Sequence, residues 1–79
     1  MIMVPTNTVL LLLQQIEFYE VRRKITKMAI DMLPDSKDSN YTRNFRVLII
    51  QRHNQLTIEL IEIAIELNKL ETALKEVLP

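Results

Sequence analysis

From Asn7 onward the apolar residues recur every three and four positions rather than every two, which is the period of a helix laid against a neighbour. In the first half the repeat runs Leu11, Gln14, Phe18, Val21, Ile25, Met28 and Met32, with Gln14 the one polar member. Asn7 or Thr8 is suited to cap its start, because a short polar side chain accepts an orphan amide there. Pro34 disfavours helical backbone at Leu33 and sets the end. Residues 34–40 form a polar, turn-rich segment in which Asp38, Ser39 or Asn40 offers the next cap. A second uninterrupted repeat follows through Ile49, His53, Leu56, Leu60, Ile63, Leu67, Leu70, Leu74 and Val77, a heptad seam broken only by His53. The run Val47 to Ile50 has strand propensity, but the lack of turn residues around it and the seam through Ile49 favour helix. The pattern predicts an all-α chain of one domain, residues 1–79, with helices at about 7–33 and 41–78.

Two long helices joined by a short polar loop fold back antiparallel as a helical hairpin. At about 1.5 Å per residue they reach roughly 40 Å and roughly 55 Å, so Leu70, Leu74 and Val77 are expected to overhang the first helix. With Leu56 set to zero and about 100° per residue, the apolar arc of the second helix is about 220° wide. It takes in Leu60, Ile63, Leu67, Ala64, Ile61, Ile65 and Ile58. One neighbour needs a stripe of only about 100°. The excess predicts a second copy of the chain and a homodimeric four-helix bundle, with an interface at Leu56, Leu60, Ile61, Ile63, Ile65, Leu67, Leu70, Leu74 and Val77.

Charge bears on the orientation of that dimer. The 79 residues hold 10 basic and 10 acidic side chains and have no net charge, which argues against a wholesale polyanion binder. The distribution is uneven. Residues 22–52 carry Arg22, Arg23, Lys24, Lys27, Lys37, Arg43, Arg46 and Arg52 against Asp31, Asp35 and Asp38, a net of +5, and the flanks carry the balancing −5. The loop half of the hairpin is therefore basic and the half with the termini acidic. Antiparallel pairing of two hairpins sets opposite charges together, and parallel pairing sets like charges together.

Composition narrows the chemistry. No Cys means no disulfide scaffold and no thiolate metal site, and no Gly means no phosphate-cradling loop. The apolar run Val9 to Leu13 is too short for a signal-peptide core or a membrane span, and no Lys or Arg precedes Arg22. A soluble, cytoplasmic protein with no membrane contact is expected. The apolar opening Met1 to Val4 reads as a flap over one end of the bundle.

One pair could carry catalysis. Arg46 and His53 share a helical face, with six residues between them, and this spacing resembles the arginine and histidine motif of the all-helical HEPN ribonucleases. That resemblance implies a dimer in which the guanidinium of Arg46 holds a phosphate while the imidazole of His53 takes a 2′-hydroxyl proton. The structural alternative makes His53 a partly buried polar residue that fixes register where the seam frays. Glu59, Glu62 and Glu66 share a face but lack a histidine in register, so they read as the solvated strip and no metal site is expected. Gln14 and Asn54 read as register markers. Four Met are too few to argue an adaptable binding groove.

The eight basic residues named above could instead grip nucleic acid. Arg22, Arg23, Lys24 and Lys27 do not all share a face, and Phe18, Tyr19, Tyr41 and Phe45 are the only aromatic side chains. In architecture alone the hairpin is similar to small dimeric helical hairpins, among them a plasmid RNA-binding protein. The expected function is a non-enzymatic interaction module, an adaptor or regulator acting through dimerisation and a bundle surface. No cofactor and no small-molecule substrate are expected, and the further protein partner is unidentified. The alternative is a nucleic-acid-binding regulator using the basic half, and a ribonuclease of the HEPN kind stands third.

Overall fold

The computed structural model describes residues 6–78. The Met1 to Val4 flap lies outside them. Two helices make up the regular secondary structure among the described residues, α1 at Thr6–Asp31 and α2 at Arg43–Val77, and no strand occurs among them. Because α1 begins at Thr6, both expected caps sit inside its first turn. Its end falls where Pro34 requires. The Leu33 amide donates to the Ile30 carbonyl at 3.1 Å, a tightened last turn, and helical bonding stops there.

The connection is ordered by aspartates. Asp35 Oδ1 accepts from the Lys37 amide and Asp38 Oδ1 from the Asn40 amide, each at 2.9 Å, giving two successive Asx turns. With its side chain occupied in this way, Asp38 does not cap α2. Thr42 does so instead, its Oγ1 accepting from the Phe45 amide at 3.2 Å. The helix therefore starts two residues later than the pattern predicts. Tyr41 and Phe45 meet edge to face at 4.8 Å and close the loop end.

The helices pack antiparallel. Tyr19 and Arg22 line one groove together with Glu59, Glu62, Ile63 and Glu66, and Ile30 and Leu33 line another with Ile49, Ile50 and His53. Carried along at equal rise, this register sets Thr26 beside Leu56, Leu12 beside Leu70, and Val9 beside Ala73 and Leu74. The expected overhang is thus at the other end. Leu70, Ala73, Leu74 and Val77 are half-buried along α1, and the surplus length of α2 is its first turns, where Phe45, Val47 and Leu48 are exposed. The turns at Asp35 and Asp38 let α2 begin beyond the end of α1 rather than level with it.

The core is a single row on α2: Ile49, Leu56, Ile63 and Leu67 are buried, Ile63 to 2%. Opposite them α1 presents Leu12, Ile16, Tyr19, Ala29 and Ile30, all half-buried, and the buried Thr26, with Leu33 half-buried just past the helix end. Thr26 satisfies its hydroxyl locally, donating to the Arg22 carbonyl at 2.8 Å, as a mid-helix threonine commonly does. The α2 seam is therefore the predicted one and the α1 seam is not. Leu11, Phe18, Val21, Ile25, Met28 and Met32 face away from α2, with Ile25 60% and Met32 80% exposed. Helix α1 carries two apolar stripes roughly 140° apart at about 100° per residue, and it has turned the other one inward.

The hairpin measures 66 × 15 × 13 Å with a radius of gyration of 18.5 Å. A globular chain of this length has a radius of gyration of about 12 Å. The hairpin exposes 6601 Å². A compact monomer of its mass exposes roughly 5000 Å². None of the described helices is long and apolar enough to cross a membrane.

Candidate functional site

The residues predicted to form an interface divide between two surfaces. Leu56, Ile63 and Leu67 are buried by α1 of the same chain, and Leu60, Leu70, Leu74 and Val77 are half-buried on that side. Ile61, Ile58 and Val47 are exposed away from that side, and Ile50 and Ile65, each about half exposed, border the two grooves, so that the five form a second apolar stripe on α2 that Asn54 interrupts. The wide apolar arc read from the sequence is thus two separate stripes, only one of which faces α1.

The outer stripe of α1 is the more continuous of the two free surfaces. Leu11, Phe18, Val21, Ile25 and Met28 hold heptad spacing along the helix and Met32 continues it just past the end, with Gln14 exposed among them. Near its start a shallow hollow of about 340 Å³ is lined by Asn7, Leu10, Leu11 and Gln14. Phe18 is held in place, since Tyr19 meets it edge to face at 5.4 Å and the Arg22 guanidinium lies 5.9 Å from its ring centroid. Both arrangements suit an aromatic ring with a negative face and a positive edge. This stripe was legible in the sequence as a seam, but nothing there told it from the stripe one step around the helix.

The basic residues do not converge. Arg22, Arg23, Lys24, Lys27, Lys37, Arg43 and Arg52 are exposed, and Arg46 is half-buried. In the antiparallel register the cluster on α1 lies roughly 20 Å along the axis from Arg46. Arg22 lines the 390 Å³ groove whose other wall holds Glu59, Glu62 and Glu66, so three carboxylates of its own chain share its surroundings. The register that brings Arg22 opposite these glutamates was not readable before α1 was docked. Among the described residues no group of three or more His, Cys, Asp or Glu is placed to hold a metal ion.

His53 differs from its expectation. It is exposed rather than partly buried, and it borders an open 330 Å³ groove at the loop end that Pro34, Asp35 and Ser36 also line. Arg46 lies one heptad away, about 10 Å along the helix. Ile49 is buried between the two levels, and the Arg46 Nε is itself buried without a partner. The described residues hold no hydrogen bond between Arg46 and His53. Gln14 and Asn54, expected as register markers, are both exposed. The chain matches no protein-family model, no curated protein and no solved structure.

Proposed function

We propose that this chain is a non-enzymatic helical interaction module that works as a homodimer of hairpins, four helices in all, and offers the outside of that assembly to a further protein. The observation that carries the reading is the surface left uncovered. The hairpin exposes roughly 1600 Å² more than a compact monomer of its mass, and apolar residues on both helices contribute to it. An elongated shape accounts for part of that excess. A standard interface takes about 800 Å² from each partner and obligate homodimers take more, so one self-contact has ample surface to use. A lone core in a chain of this size supplies only about 3–5 kcal/mol, and oligomerisation is a common supplement.

Light scattering of the full chain from about 1 to 100 μM tests the proposal. A dimer mass over that range supports it, and a monomer throughout ends it. Retention of the chain on RNA or DNA that falls steeply with salt would put the nucleic-acid reading in its place. RNA cleavage lost in His53→Ala would do the same for the ribonuclease reading.

A further inference from the structure

We infer that the outer stripe of α1 receives a second copy of this chain, with the two α1 helices antiparallel and Phe18 of each opposite Val21 of the other. This inference rests on the dimer proposed above and names its surface, orientation and register. Three observations carry it: the uncovered area, the charge along α1, and the hollow at its start.

Two antiparallel helices pack a-type positions against d-type positions, so the stripe has only a few possible registers. Setting Phe18 against Val21 also sets Gln14 against Ile25 and Leu11 against Met28. The flanking positions then bring Glu17 of each chain beside Lys24 of the other, and Gln15 beside Arg22. Moving one heptad toward the loop would instead bring Lys24 against its own copy and Glu17 against Asp31, two like-charged contacts. Up to Glu20 the charges of α1 are acidic, Glu17 and Glu20, and from Arg22 onward they are basic in balance, Arg22, Arg23, Lys24 and Lys27 against Asp31. Such a helix is complementary to itself only when reversed.

The same register brings Met28 of the second copy to the hollow lined by Leu10, Leu11 and Gln14. An unbranched thioether side chain suits an irregular space of that kind. Because the inner and outer stripes of α1 stand roughly 140° apart, where a square bundle needs about 90°, the four helices form an open row, α2 and α1 of one copy followed by α1 and α2 of the other. The outer stripe of α2, broken by Asn54, stays free at both edges of the row.

Sedimentation equilibrium of the full-length chain tests this, with far-UV circular dichroism as the folding control. Ile25→Glu should raise the dissociation constant by roughly 100-fold or more, since the dimer carries the buried charge twice, while Ile58→Glu on the outer α2 stripe should leave it nearly unchanged. Glu17→Lys and Lys24→Glu should each weaken the dimer by about 3- to 10-fold, and the double reversal should restore it to within about 2-fold. These charged positions are exposed, so they decide the matter even if Ile25→Glu loses its helix. In a parallel dimer Glu17 would meet Arg22, Lys24→Glu would have no effect, and the double variant would not recover. A wild-type dimer with that pattern, or one broken by Ile58→Glu and not by Ile25→Glu, overturns the inference and leaves the dimer standing. A wild-type monomer ends both.

Discussion

Truncating Ile63 to Ala tests whether the row on α2 is the core. The side chain is 2% exposed, and the change removes three carbons, worth about 0.8 kcal/mol each in transfer from water. The cavity left behind adds to this, for a total of about 2.5–4.5 kcal/mol. A chain of 79 residues unfolds with an entropy of about 0.17 kcal/mol/K, so each kcal/mol shifts the midpoint by about 6 °C and the variant should melt about 15–25 °C lower. Ile61 is the internal control, two residues away on the same helix and 56% exposed. Ile61→Ala should cost under about 1 kcal/mol. Both are measured by urea and thermal unfolding at several protein concentrations, because folding coupled to dimerisation makes the midpoint concentration-dependent. A loss below about 1 kcal/mol for Ile63→Ala, or an equal loss for Ile61→Ala, would refute the assignment of inner and outer stripes.

Thr42→Ala removes the α2 cap and should lower stability by about 1 kcal/mol in urea unfolding, whereas Ser39→Ala, at a position expected to cap but not used, should be near neutral. Truncation after Asn68 removes Leu70, Ala73, Leu74 and Val77 from beside α1. It should therefore abolish amide-exchange protection at Val9 to Leu12 while leaving Tyr19 to Ile30 protected if the folded state survives; unchanged protection at Val9 to Leu12 would contradict the register. Spin labels at Lys37→Cys should lie roughly 40 Å or more apart in the antiparallel dimer, and a separation under about 25 Å would show the loops at one end. Added chloride below about 0.3 M should weaken that dimer slightly, by at most about 1 kcal/mol, and strengthening would show that like-charged halves meet.

Much of the hairpin was written in local chemistry. The heptad spacing from Ile49 to Val77 specifies a helix and its buried face together, because that seam is broken only by His53, whereas the stripe through Ile58, Ile61 and Ile65 is bounded by Asn54 and Asn68. Pro34 ends α1 for a steric reason that needs no neighbour, and the polar residues after it must turn. Three things waited for the tertiary structure. Which oxygen caps α2 depended on Asp35 and Asp38 closing their own turns first, which left the cap to Thr42. Where the surplus length of α2 falls depended on how far those turns carry the chain. Which stripe of α1 faces inward depended on rotation about the helix axis. Periodicity reports that a helix has an apolar face, but α1 has two of comparable strength. The stripe through Ile16 and Thr26 is the one packed against the α2 row. Its neighbour through Phe18 and Ile25 remains on the outside, which is why the surface proposed for self-association lies on α1, where the sequence had suggested the core.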